Sequence, residues 1–159
     1  MKFSIVTHGD VDGVVSSALY IAKLIREGIK RDDIQLVFAQ PFQLPDELKG
    51  EAIVVLDIAV NNADQSLTEV FLKKIKDRLV VWIDHHEGWV EFLKKLPESV
   101  KDKFIISNDP AAAQTVYALT GLTDMHSFVE DAIAADTRSG KMSEKGKLID
   151  EAIKSDPND

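Results

Sequence analysis

The sequence predicts an α/β fold: a parallel five-stranded sheet in the order 2-1-3-4-5 with helices on both faces. Three observations carry this expectation. Short apolar runs such as Ala52–Leu56 and Val80–Ile83 are too short for helices, and their continuous hydrophobicity suits strands covered on both faces. These runs alternate with stretches of helical period, which implies right-handed crossovers and a parallel sheet. Runs one, three and four each end in acids or imidazoles, at the carboxyl edge where open α/β sheets bind ligands.

Each element has its own signal. Lys2–Thr7 is the first expected strand, ending in His8-Gly9-Asp10-Val11-Asp12-Gly13. Val15, Ala18, Leu19, Ala22 and Ile25 form the apolar stripe of the next helix, with Gly28 as its stop. Ile34–Ala39 reads as strand two, and Pro41–Gly50 as a polar connection with one helical turn around Pro45-Asp46-Glu47. Ala52–Leu56 is strand three and runs into Asp57. Ser66-Leu67-Thr68-Glu69 has the capping-box pattern, and Leu67, Val70, Phe71 and Ile75 are the expected inner face of that helix. Strand four is Val80–Ile83, leading into Asp84-His85-His86. Trp89–Leu96 reads as a short helix with Pro97 near its end, and Phe104–Ile106 as strand five. Asp109 is the expected N-cap of the next helix, with Pro110 at its first position and Gly121 at its end. Met125–Ala135 is a further helix leading to Asp136-Thr137-Arg138-Ser139-Gly140. Residues 141–154 read as a final amphipathic helix carrying Leu148, Ile149 and Ile153, and 155–159 as an unstructured tail. No repeat or linker divides the chain, so 1–159 is read as a single domain.

Composition narrows the function classes. With 45% hydrophobic and 29% charged residues the chain has the balance of an ordered globular domain. No apolar run approaches the roughly 18 to 20 residues of a membrane span, and the N-terminus has no signal-peptide pattern. A cytoplasmic address is therefore expected. Absence of Cys excludes disulfides and thiolate metal sites. A net charge of −8 argues against clamping duplex DNA on a basic surface. It leaves room for a small or single-stranded anionic substrate if cations supply positive charge locally.

In a parallel sheet the ends of strands one, three and four fall on one edge. His8, Asp10, Asp12, Asp57, Asp84, His85 and His86 then converge, bringing together three of the four histidines. Carboxylates gathered in this way need a cation between them. A mixed oxygen and imidazole set without sulfur suits Mn²⁺, with Mg²⁺ or Co²⁺ as weaker candidates, better than structural zinc. Gly13 allows a tight strand-to-helix turn that presents a helix N-terminus to an anion.

These segments resemble the N-terminal motifs of the DHH phosphoesterase family. His8-Gly9-Asp10-Val11-Asp12-Gly13, Val55-Leu56-Asp57, Asp84-His85-His86 and Ala135-Asp136-Thr137 are similar to motifs one to four, and the resemblance covers roughly residues 3–140. It implies one Mn²⁺ held by His8, Asp10 and Asp57, and a second held by Asp12, Asp57, His85 and Asp136, with Asp57 bridging. It further implies that His86 faces the phosphate while Asp84 supports the ligand histidines from behind. Asp57, His86 and Asp84 are thus the catalytic candidates. The His-x-Asp-x-Asp spacing is most similar to the RecJ-like branch. The implied reaction is in-line hydrolysis of phosphodiester bonds, without a covalent enzyme intermediate, at single-stranded nucleic-acid ends or in short oligonucleotides. Hydrolysis of pyrophosphate or a cyclic dinucleotide is the alternative, as is an inactive scaffold in a replication or repair assembly.

Members of this family usually continue into a C-terminal substrate-binding domain. Few residues follow Asp136 here, so a lone catalytic domain or a piece of a longer protein is expected. Its open site would need a further domain, a partner protein or a second copy for efficient turnover. Arg138 and Lys141 are each divided between phosphate contact and a solvated loop, with Arg138 taken as the substrate-binding candidate beside His86. Trp82 reads as core. Trp89 could stack a base, but packing is the stronger expectation. His126, Glu87, Glu130 and Asp131 read as surface or supporting residues.

Overall fold

Alternating apolar and helical stretches fold as expected into a layered α/β arrangement. The computed structural model describes residues 1–122 and 126–137. In chain order the elements are β1 (Phe3–His8), α1 (Val11–Arg26), a short 3₁₀ turn (Arg31–Asp33), β2 (Ile34–Ala39), β3 (Ala52–Leu56), α2 (Gln65–Ile75), β4 (Leu79–Asp84), α3 (Trp89–Leu93), α4 (Glu98–Lys101), β5 (Phe104–Ile106), α5 (Ala112–Thr120) and α6 (His126–Thr137). The sheet has the order β2-β1-β3-β4-β5 with every pair parallel. None of the described helices is long and apolar enough to cross a membrane.

Successive strand residues point to opposite faces, and two cores result. On one face Ile5, Val54, Leu56 and Ile83 pack with Val15, Leu19 and Leu24 of α1, Val116 of α5 and Val129 of α6. On the other, Val6, Ile53, Val55 and Trp82 meet Phe71, Leu72 and Ile75 of α2 and Trp89 and Phe92 of α3. Trp82 is fully buried at the centre of this second core. Its ring stacks on Phe104 at 5.3 Å and meets Trp89 edge-on at 4.8 Å. Its Nε1–H donates to the Ile58 carbonyl at 3.1 Å.

Several local expectations are revised by tertiary contacts. Helix α1 buries Val11, Val15, Leu19, Tyr20 and Leu24, while Ala18 and Ile25 face solvent, so the inner stripe is rotated from the expected one. The capping residue of α2 is Asp64, whose carboxylate accepts from the Ser66 N–H, in place of Ser66 itself. Its inner face is Thr68, Phe71, Leu72 and Ile75, with Leu67 and Val70 exposed. Thr68 must point inward because its hydroxyl accepts the buried Asn61 N–H at 3.0 Å, tying down the loop after β3. Strand β4 is buried at Leu79 and from Trp82 onward, while Val80 between them is 47% exposed. No helical turn forms around Pro45. Gln40 and Gln43 instead pair across a tight turn, and Leu44 and Leu48 pack against the second core. Helix α3 ends at Leu93, and Pro97 precedes the separate α4, which the sequence reading does not anticipate.

Helix α5 starts at Ala112, not at Pro110. The Asp109 carboxylate accepts from Thr115 Oγ1–H, and the first N–H groups of the helix turn to Asp12. Gly121, at φ 65°, ends α5 in the left-handed conformation that glycine adopts without strain. Asp136 lies in the last turn of α6 rather than beyond a helix. Arg138, Lys141, the expected helix 141–154 and the tail 155–159 lie outside the described residues.

The second core rests on Trp82, so Trp82→Ala should lower unfolding free energy by about 3–5 kcal/mol. Urea denaturation followed by far-UV circular dichroism reads this directly, and a loss under about 1 kcal/mol, the scale of a neutral surface change, would contradict it.

Candidate metal centre

The site is built at the carboxyl ends of β1, β3 and β4. A Cβ on Gly13 would lie 1.8 Å from the His8 carbonyl oxygen, so only glycine lets the first turn of α1 sit directly on the end of β1. Asp10 caps that turn by accepting the Gly13 N–H at 2.8 Å, and Thr7 Oγ1–H donates to the Gly13 carbonyl. This tight return brings Asp10 and Asp12 back over the strand edge. One strand away, Asp57 directly follows β3 in the left-handed region at φ 57°, with its N–H donated to the Ile83 carbonyl at 2.9 Å. Aspartate tolerates that conformation better than most residues, but still at some strain.

Around Asp57 the ligand atoms fall into two groups. His8 Nδ1 lies 3.0 Å from Asp10 Oδ2 and 3.8 Å from Asp57 Oδ2. His85 Nε2 lies 3.3 Å from Asp12 Oδ2, 3.5 Å from Asp57 Oδ1 and 3.0 Å from Asp136 Oδ2. The sets His8/Asp10/Asp57 and Asp12/Asp57/His85/Asp136 each place one donor atom per residue within 4.8 Å of the others. Asp57 belongs to both and offers a different oxygen to each. A third set, Asp57/Asp84/His85/His86, overlaps them. Both oxygens of Asp57 and Nε2 of His85 are buried without an aligned hydrogen-bond partner. Their short approach distances are those of groups aimed at a common point.

Each inward group is held from behind. His85 Nδ1 faces the Asp109 carbonyl at 3.2 Å. A carbonyl only accepts, so Nδ1 carries the proton and a neutral His85 turns the bare lone pair of Nε2 toward three carboxylates. That arrangement repels unless a proton or a cation lies between. Asp12, fully buried, accepts from the Ala112 and Ala113 N–H groups at 2.9 and 2.8 Å, which satisfies the start of α5 with a carboxylate about 100 residues away in sequence. His8 Nε2 lies 2.6 Å from Gln40 Oε1. Asp84, fully buried, accepts from His86 Nδ1–H at 2.8 Å and from Trp89 Nε1–H at 2.9 Å. Asp84 thus supports His86 alone, whereas the expectation had it supporting the ligand histidines.

Without a cation, protons occupy this centre. Burial raises the Asp57 carboxyl well above the usual range, and the neighbouring Asp12 adds to the shift. Burial also raises Asp136. Burial opposes charging of His85, but Asp12, Asp136 and Asp57, whose oxygens accept from its protonated Nε2, push it up to about 12. The hydrogen bond to Asp10 raises His8. Burial would raise Asp10, yet the His8 partner outweighs it and holds that acid at about 2. Asp84 raises His86. Oxygen-rich donors with two imidazoles and unpartnered buried oxygens fit divalent cations.

His8, Asp10, Asp12, Asp57, His85 and Asp136 come together as the sequence reading expects, with Asp84 and His86 beside them. Trp89 is fully buried and hydrogen-bonded to Asp84, so it packs and does not stack a base. His126 is exposed and faces Glu130 on its own helix. Gln40 and the Asp109 carbonyl are contributors that the sequence reading misses. For Gln40 a signal exists, since it lies one residue past β2 on the same edge of the sheet.

The sequence matches the DHH family, N-terminal domain, over residues 2–138. Among solved structures it is similar to that of an uncharacterized protein from Helicobacter pylori G27, with a TM-score of 0.58 and 15% sequence identity. The superposition covers 97% of this chain and 49% of that one, so this chain spans about half its length. At that identity the likeness concerns the fold alone. No curated protein matches the sequence.

Cation binding should expel the proton that His85 holds at neutral pH. Affinity for Mn²⁺ should therefore rise between pH 6 and 8, by about tenfold per pH unit for that one proton. Titration calorimetry in two buffers of different ionisation enthalpy measures that release, and binding independent of pH would contradict it.

Proposed function

This chain belongs to the DHH family, and on that footing we propose that it is a two-metal phosphoesterase that cleaves phosphodiester bonds at single-stranded nucleic-acid ends or in short oligonucleotides. Members of the family are phosphoesterases that use divalent metals. One observation carries the reading: two ligand sets share the buried carboxylate of Asp57, each taking one oxygen.

In this reading His8, Asp10 and Asp57 hold one cation, and Asp12, Asp57, His85 and Asp136 hold the other, with Mn²⁺ as the working metal. Bound there, the cations supply the positive charge that polarises a phosphoryl group and activates water near neutral pH. The chain's own groups do the positioning. Gly13 sets Asp10 and Asp12 over the strand edge, and the α5 N–H pair keeps both oxygens of Asp12 aligned. Asp84 engages Nδ1 of His86, leaving Nε2 of this half-exposed ring for a phosphate oxygen. Arg138, next in sequence after Thr137, is assigned a second phosphate contact. No residue needs to act as a covalent nucleophile.

The His8-x-Asp10-x-Asp12 spacing, similar to the RecJ-like branch, supports nucleic-acid ends over pyrophosphate. Completeness of both ligand sets supports a working enzyme over a scaffold. Asp57→Asn preserves the shape and the tolerance of left-handed backbone but removes the charge. It should deplete bound Mn²⁺ and lower hydrolysis by more than about 100-fold, beyond the loss usual for an outer-shell residue. Metal analysis together with labelled 5′ and 3′ single strands, a dinucleotide and pyrophosphate tests both parts. Full activity in the variant would overturn the mechanism, and turnover of pyrophosphate alone would overturn the substrate class.

A further inference from the structure

Gln40 stands apart from the acidic cluster, carries no charge, and makes a short contact with one of its histidines. Its Oε1 lies 2.6 Å from His8 Nε2. An amide oxygen only accepts, so the contact requires Nε2 to carry a proton. With the Nε2 proton committed to Gln40, a neutral His8 directs the lone pair of Nδ1 toward Asp10 and Asp57, the side on which Nδ1 already lies 3.0 and 3.8 Å from their oxygens.

The side chain of Gln40 is placed by a built turn. β1 and β2 run parallel with His8 opposite Ala39, so the next residue of β2 falls beside the histidine at the sheet edge. Backbone bonds in both directions between Gln40 and Gln43, at 3.3 and 3.0 Å, close the chain immediately after it. Asn61 Nδ2–H donates to the Pro41 carbonyl at 3.4 Å, and Asn61 is itself held by the Thr68 hydroxyl on α2. The connection thus runs from α2 through Asn61 and the Pro41 turn to Gln40 and then to His8.

We propose that Gln40 is a positioning residue that fixes the tautomer and ring orientation of His8, so that Nδ1 serves as the ligand in the His8/Asp10/Asp57 set. The inference rests on the metal reading of that set and names the group that selects its imidazole nitrogen. Metal-bound imidazoles depend on such a partner at the second nitrogen, and its loss lowers affinity by about 10–100-fold.

Three variants separate this role from packing. Gln40→Glu retains an acceptor for Nε2–H, Gln40→Leu retains bulk without an acceptor, and Gln40→Lys offers only donors. Mn²⁺ binding to the whole chain is followed by calorimetry, with free Mn²⁺ counted by electron paramagnetic resonance and the melting of each metal-free variant checked by circular dichroism. Wild type should bind two ions. Gln40→Leu and Gln40→Lys should weaken one of the two by about 10–100-fold and leave the other unchanged, while Gln40→Glu should bind both as wild type does. Equal binding by all four proteins, or equal loss in all three variants, would overturn the role of Gln40 while leaving the two-metal site standing. Failure of the wild type to bind Mn²⁺ would overturn both.

Discussion

A carboxylate buried with no hydrogen-bond donor is costly in any fold, and in practice such a group takes up a proton or a cation. Asp57 is in that position, with both oxygens enclosed and unpartnered. It directly follows β3, which lies between β1 and β4, so its flanks are the two strand ends that carry His8 and His85. Its left-handed backbone and its bond to Ile83 fix it between the imidazoles of His8 and His85. The rest of the centre is a response to that one group: imidazoles on two sides, and further acids that only a positive charge can reconcile.

What surrounds the ligands is as specific as the ligands themselves. Asp12 is aligned by the start of α5, His85 by the Asp109 carbonyl, and His86 by Asp84, which Trp89 in turn holds. Both helical layers contribute to this support, since α1 and α5 cover one face and α3 the other. Packing of the two cores and alignment of the centre are therefore one problem. The tryptophans link them, because Trp82 and Trp89 both donate to the Ile58 carbonyl immediately after Asp57.

The sheet was legible because parallel strands covered on both faces are apolar throughout. Ile34–Ala39, Ala52–Leu56 and Phe104–Ile106 have the bounds read from the sequence, and the strand order follows from alternation with helices. The clustering of His8, Asp10, Asp12, Asp57 and His85 was legible for the same reason, since parallel strands end on one edge. Caps were not. Asp109-Pro110 has every local mark of a helix start, yet the N–H groups of α5 find Asp12 from a distant segment, and Asp109 bonds Thr115 instead. Ser66 loses the start of α2 to Asp64. Leu67 and Val70 read as inner residues until the buried Asn61 N–H claims Thr68 and turns the helix. Gln40 is marked only by its position one residue past β2, since an uncharged side chain adds nothing to the pattern of acids and imidazoles.

The central claim is that Asp57 bridges two cations. Crystals grown with Mn²⁺ and measured at a wavelength where manganese scatters anomalously test it most directly. The account predicts two anomalous peaks about 3.5–4 Å apart, as two-metal sites show. One should lie against His8 and Asp10, the other against Asp12, His85 and Asp136, with one oxygen of Asp57 on each. A single peak, or two peaks with Asp57 bound to neither, would contradict it.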